Sequence, residues 1–338
     1  LAAGAWAVPL AARAAPLPII DMHLHAHPLA FYGSPPPQVC AGDQMIAWPA
    51  ADPRDFQIQP LFGCPRPLAA PATDAAVLAQ TLEILERRNI YAVTSGPLEM
   101  VTRWRAAAPG RILPAISFLT SDGPPDASTV AVLRRQFAQG RFAVFAEIGA
   151  QYRGMAPDDP SLEPFYALAE ELDIPVGIHM GVGPPGAPYW SDPKYRARLG
   201  DPLLLEDLLV RHPKLRLYVM HAGWPLTDHM IALMFSHPQV YVDVSCDDWD
   251  QPRAEFHREL RRLVEAGYGK RIMFGSDQMV WPQTIELAIR TIEAADFLTT
   301  AQKRDIFHDN AARFLRLTGA GFTSLTAGRH DKTVTIGP

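Results

Sequence analysis

His23 and His25, in the run Ile19-Ile20-Asp21-Met22-His23-Leu24-His25, are the residues whose type and spacing first suggest chemistry. Side chains two apart on a strand share a face, so two imidazoles at the end of an apolar strand can hold one metal ion between them. Alone, the pair also fits two half-exposed histidines at a strand end. Four later runs close in the same manner. Phe145-Ala146-Glu147-Ile148-Gly149 carries Glu147, and Gly177-Ile178-His179-Met180-Gly181 carries His179. Val219-Met220-His221-Ala222-Gly223 carries His221, and Phe274-Gly275-Ser276-Asp277 ends on Asp277. Imidazole and carboxylate together suit zinc or a similar divalent ion. Such an ion makes hydroxide available near neutral pH. A neighbouring carboxylate can then carry the proton, and a histidine can steady the oxygen that becomes negative. That chemistry is attack of hydroxide on a carbonyl or related centre. His27 has the spacing to join His23 and His25, but it precedes Pro28 and lies beyond the expected strand, so it is not counted as a ligand.

The elements that must position these residues alternate. Short, nearly continuous apolar runs recur at residues 19–25, 90–96, 112–118, 142–149, 175–181, 216–223, 240–246 and 271–277. Runs of that kind read as parallel strands buried on both faces. Helix-period segments lie between them at 75–88, 161–172, 203–211, 227–235, 253–266 and 281–294, with further helix from Thr300 and over 310–317. Eight strands alternating with helices predict a (β/α)₈ TIM barrel. A doubly wound open sheet is the alternative, and no Gly-rich phosphate loop follows the first strand to support it. In a barrel, all six candidate ligands project to one mouth. Two loops break the rhythm. Residues 27–72 form a long Pro-rich loop after strand 1, with ten prolines, and 183–202 follows the fifth strand. Both leave the strand ends where barrel active sites sit, and loops of this length are usually functional lids or disordered.

Composition sets the outer bounds. The chain has 338 residues, 48 % of them hydrophobic, which is ample for one large core. Its net charge is −5 with no basic stripe, so no nucleic-acid partner is expected. No apolar stretch is long enough for a transmembrane helix. Residues 1–18 are rich in Ala and Leu and carry Ala-x-Ala runs, as in the remnant of a signal peptide or in a poorly ordered extension. The expected organisation is therefore an extension at 1–18, one barrel domain at 19–320 and a tail at 321–338. A signal remnant would imply a periplasmic or secreted protein, and its absence a cytoplasmic one. Cys40 and Cys64 lie in the same long loop and could pair, while Cys246 reads as a buried free thiol.

With Asp21-Met22-His23-Leu24-His25, the strand-end His179 and His221, and Phe274-Gly275-Ser276-Asp277, the chain resembles the metal-dependent hydrolases of the amidohydrolase superfamily. Asn310-Ala311-Ala312-Arg313-Phe314-Leu315 is similar to that family's final helix, and the resemblance runs from Ile19 to about Leu317. Within the superfamily the chain looks most like the amidohydrolase-related branch of hydrolases, lactonases and non-oxidative decarboxylases such as aminocarboxymuconate-semialdehyde decarboxylase. The resemblance to the decarboxylases implies one metal on His23, His25, His179 and Asp277, with His221 as catalytic group. The chain departs from that pattern at Glu147. Binuclear members place a carboxylated Lys or a Glu there to bridge two ions, as in the metal-dependent deoxyribonucleases and renal dipeptidase. With Glu147 bridging, His179 and His221 would bind the second ion.

The leading expectation is a metal-dependent hydrolase, with zinc as the expected cofactor (one or two ions), His23, His25 and Asp277 on the first ion and Asp277 as proton shuttle. The alternatives are a single-metal decarboxylase and a barrel that binds metal or ligand without turnover. The partner is a small-molecule substrate, and oligomerisation is left open. Arg153, Trp190, Trp249 and Trp281, together with Tyr152, Arg196 and Arg198, follow strand ends and could line the pocket. An arginine there would suit a carboxylate.

Overall fold

The computed structural model describes residues 16–44, 50, 52–53, 64–118 and 127–317. Residues 1–15 of the expected extension, the whole expected tail and much of the Pro-rich loop lie outside the described residues. Eight parallel strands follow one another in chain order around the sheet. They are β1 (Ile19–His25), β2 (Ile90–Ser95), β3 (Ile112–Phe118), β4 (Val144–Ile148), β5 (Val176–His179), β6 (Leu217–Met220), β7 (Tyr241–Asp243) and β8 (Ile272–Met273). The ring closes through Met22 N–H donating to the Phe274 carbonyl at 2.9 Å and Asp277 N–H donating to the His23 carbonyl at 2.7 Å. The expected (β/α)₈ barrel is therefore the observed fold.

One main helix follows each strand: α1 (Asp74–Arg87), α2 (Leu98–Ala107), α3 (Ala127–Ala138), α4 (Glu163–Glu171), α5 (Glu206–Arg211), α6 (Thr227–Ser236), α7 (Arg253–Leu263) and α8 (Gln283–Glu293). Two of these, α2 and α3, have no counterpart among the periodic segments of the sequence. The signal for α2 is faint because its N-cap is Pro97, which makes no side-chain cap, and only Val101 and Trp104 of its ten residues are buried. By contrast, α1 begins where expected: the Thr73 hydroxyl accepts from the Ala76 N–H at 3.1 Å. After α8 the described residues continue through α9 (Thr300–Arg304) and α10 (Asn310–Phe314).

The apolar interior has two parts. The larger lies between strands and helices and includes Leu24, Val77, Leu85, Trp104, Phe165 and Ile289. The smaller fills the barrel itself with Ile20, Met22, Val93, Leu113, Val144, Ala146, Tyr218 and Met273, and Phe314 of α10 plugs its lower end. This plug leaves the opposite end, at the C-terminal ends of the strands, for polar groups. No helix among the described residues is long and apolar enough to cross a membrane.

Candidate metal centre at the barrel mouth

Strict alternation would have turned the key histidines outward. Ile20 and Met22 face the barrel interior and Leu24 faces the helices. An irregularity in the β1–β2 pairing between Asp21 and Leu24 resets the phase, so that His23 and His25 both face the mouth. Irregularities of this kind re-aim side chains beside active sites. Strand β4 repeats the device. Val144 and Ala146 point inward, and a break in the β4–β5 pairing between Phe145 and Ile148 lets Glu147 face the mouth as well.

Neighbouring strands then clamp the backbone. The Asp21 carboxylate accepts the His23 N–H at 2.9 Å, the Ser276 N–H at 3.0 Å and the Ser276 hydroxyl at 2.6 Å. Gln278 accepts the His25 N–H at 2.9 Å and donates to the His25 carbonyl at 2.6 Å. Gly275 lets β8 approach: a Cβ there would fall 2.9 Å from the Cβ atoms of both His23 and Ser245.

Six side chains converge as a result. His23 Nε2 and His25 Nε2 are 3.0 Å apart, and Asp277 Oδ1 lies 3.0 Å from the latter and 3.7 Å from the former. Glu147 Oε2 is 3.5 Å from both of these nitrogens. Glu147 Oε1 is 3.8 Å from His179 Nε2 and 4.0 Å from His221 Nε2. All six expected ligands are therefore brought together. They form three overlapping triads with the geometry to hold an ion: His23–His221–Asp277, His23–His25–Glu147 and Glu147–His179–His221.

The far nitrogens of the rings explain why the near ones are available. The Ser245 hydroxyl donates to Asp243 Oδ1 at 2.6 Å, so it accepts the His23 Nδ1–H at 2.7 Å. His221 donates Nδ1–H to the Ser245 carbonyl at 3.0 Å. His25 Nδ1 pairs with the Ser95 hydroxyl at 3.0 Å. Ligating histidines are typically fixed in this way through their second nitrogen. With Nδ1 committed to these partners, it is Nε2 of His23 and of His221 that faces the mouth and that loses its proton when a cation takes its place.

The charges agree with a cation site. Burial works against ionised Glu147, yet hydrogen bonds from His221 and His23 hold it well below the usual carboxylate range. Asp277 is likewise held low against its burial by the charge of His23 and the hydrogen bond from His25. Burial opposes charge on His23, but Asp277, Asp243 and Glu147 together raise its pKa well above the ordinary imidazole value. Burial and the neighbouring His221 push His179 down to about 3. Asp277 Oδ1 is buried beside the Nε2 atoms of His25 and His23, and a buried carboxylate is costly unless it is paired or meets a cation. Two imidazole nitrogens facing each other at 3.0 Å call for the same thing. The donor set fits a divalent metal.

The other residues singled out by the sequence are more scattered. Arg153 is half-buried in the turn after β4. Trp249 is buried and donates its indole N–H to the Ser276 carbonyl at 2.7 Å. Trp281 is buried against Tyr32, with ring centroids 5.4 Å apart. Trp190 is 44 % exposed and donates to the Pro185 carbonyl; Arg196 and Arg198 are exposed too. His27 lies past β1, stacked on His25 with 4.4 Å between centroids and bonded to the Tyr32 hydroxyl at 2.6 Å. Cys40 and Cys64 are joined by a disulfide, and Cys246 is a half-buried free thiol. Sequence reasoning missed Ser95, Gln151, Asp243, Ser245 and Gln278. Each is a polar residue at or just past a strand end, which is the one signal that could have found them.

Comparison with known proteins agrees with this architecture. The sequence matches the amidohydrolase family over residues 20–317, and the chain belongs to that family. No curated protein matches the sequence. Among solved structures, an uncharacterised TIM-barrel protein from Bordetella bronchiseptica is 19 % identical, with a TM-score of 0.62, covering 89 % of this chain and 99 % of that one. A probable 2-pyrone-4,6-dicarboxylic acid hydrolase from Acinetobacter baumannii, solved with citric acid bound, is 15 % identical, with a TM-score of 0.54 over 88 % and 99 % of the two chains. A 5-carboxyvanillate decarboxylase from Novosphingobium aromaticivorans, with bound manganese, is 16 % identical, with a TM-score of 0.52 over 72 % and 84 %. At these identities the likeness is one of fold. The family is that of the amidohydrolases, and the neighbours include a probable hydrolase and a decarboxylase with bound manganese.

Proposed function

We propose that the protein is a metal-dependent hydrolase. His23, His25 and Asp277 would hold one divalent ion and His179 and His221 a second, with the Glu147 carboxylate placed between the two sets. Zinc is the metal that best suits four imidazoles and two carboxylates. When bound, it supplies Lewis-acid activation of water near neutral pH. The protein's own groups do the rest. Asp277, held ionised, would accept the proton of the attacking water and return it to the leaving group. His221, whose Nδ1–H is held by the Ser245 carbonyl, would present its Nε2 to the second ion. The observation that carries this reading is the division of the Glu147 carboxylate, one oxygen towards His23 and His25 and the other towards His179 and His221.

The second reading is a decarboxylase with one ion. It is supported by the presence of a manganese-containing decarboxylase among proteins of the same fold. Turnover in heavy-oxygen water separates the two: hydrolysis leaves a labelled oxygen in the organic product, whereas decarboxylation releases carbon dioxide and leaves the organic product unlabelled. The Cys40–Cys64 disulfide supports a periplasmic or secreted location over a reducing cytoplasm.

A further inference from the structure

Tyr152 lies in the turn after β4, and its hydroxyl is 2.9 Å from His179 Nε2. Its ring meets the imidazole edge-on at 4.9 Å. The other nitrogen of His179, Nδ1, is 2.7 Å from the side-chain amide of the buried Gln151. Which end of a glutamine amide is oxygen follows from its bonding partners. With nitrogen towards Nδ1, Gln151 Oε1 is buried and has no partner among the described residues. That position also neighbours the Gly181 carbonyl: a Cβ on Gly200 would fall 1.9 Å from the Gly181 oxygen and 2.3 Å from Oε1. An unpartnered buried acceptor close to a second acceptor is unfavourable. Turning the amide over places its NH₂ beside the Gly181 carbonyl and its oxygen on the His179 Nδ1–H. His179 Nε2 then carries the lone pair, and the Tyr152 O–H donates to it. The nitrogen needed by a metal is thus covered by a hydroxyl.

We infer that Tyr152 is a positioning residue that competes with the metal for His179. Its hydroxyl must leave Nε2 before an ion can bind there, and once released it is a neutral hydrogen-bond donor beside the ion for a substrate oxygen. The sequence makes room for the ring at this spot. A Cβ at Gly149 would fall 3.0 Å from the Tyr152 ring, and one at Gly183 would fall 2.9 Å from it. Tyr195 stands behind, 5.6 Å between ring centroids, its hydroxyl held by the Gly183 N–H at 2.7 Å. The inference rests on the proposed function only in requiring that His179 bind metal, which holds for one ion or two.

The test is calorimetric titration of metal-free wild type and Tyr152→Phe with manganese and with zinc. Removing the hydroxyl leaves water to solvate Nε2, so the gain is the net worth of one hydrogen bond. Binding at the His179 position should tighten by roughly 2- to 10-fold. Loading the wild type should produce no tyrosinate absorption, because the hydroxyl keeps its proton. Unchanged affinity in the variant overturns the inference. So does weaker binding, or a tyrosinate signal on loading, either of which would make Tyr152 a ligand. A wild type that binds one ion and not two would count against the bridged site and leave this test standing.

Discussion

Replacing Glu147 by Gln removes one negative charge from the centre of the site and keeps the shape of the side chain. The carboxylate lies 3.5 Å from the Nε2 atoms of His23 and His25, and 3.8 and 4.0 Å from those of His179 and His221. A unit charge at 3.5 Å is worth about 5 kcal/mol at an effective dielectric constant near 20. Part of this is offset. Glu147 also holds protons on His23 and His221 in the metal-free protein, and the variant gives those protons up more readily to an incoming ion. If half the charge term survives, the loss is still close to 10²-fold in affinity. The variant should therefore lose about one metal equivalent and most of its turnover, with its fold intact. Metal content by elemental analysis and affinity by titration read this directly. A variant with the wild-type metal count and affinity would refute the reasoning, leave Glu147 as a hydrogen-bond partner of the ligands, and favour the single-ion decarboxylase.

Three further outcomes are expected. Ser245→Ala removes the acceptor of His23 Nδ1 and its link to Asp243, and should weaken metal binding roughly 10- to 100-fold without changing the number of ions; unchanged affinity in a titration would contradict the role given to Ser245. Because His23 and His221 have raised pKa values without metal, metal uptake should release protons and weaken as pH falls; titration heats that do not depend on buffer ionisation would contradict this. Arg88 and Arg87 at the end of α1 bind Glu286 in the first turn of α8, joining the first and last helices of the ring. The Arg88 hydrogen bond lowers the Glu286 pKa from 4.5 to about 2, so its contribution is whole above pH ~4.5 and is lost as pH falls towards ~2. Melting curves should show Glu286→Gln less stable than wild type near neutral pH, with the gap closing in acid; a gap independent of pH would refute the assignment.

The sequence was most legible where a candidate ligand closed an apolar run. His179 and His221 need only the strand that precedes them, and both lie where that pattern put them. His23, His25 and Glu147 were found for a simpler reason than the true one. Two-residue spacing groups His23 with His25, but the phase resets that turn them inward relative to Met22 and Ala146 leave no trace in the apolar pattern. The residues that aim the ligands were hidden because a serine or glutamine past a strand end is ordinary until its partner is known; Ser245 meets His23 from a position 222 residues away. The tryptophans show the converse. Trp249 and Trp190 follow strand ends, but one turns its indole into the core and the other towards solvent, a choice made by packing that sequence position does not encode. Helix α2 was silent because its buried face amounts to two side chains.

Anomalous diffraction from crystals grown with zinc supplied tests the central claim most directly, because it counts and places ions without an assay. The account predicts one peak held by His23, His25 and Asp277 and a second held by His179 and His221, with Glu147 touching both. A fully supplied crystal with a single peak, or none, among these six side chains would contradict it.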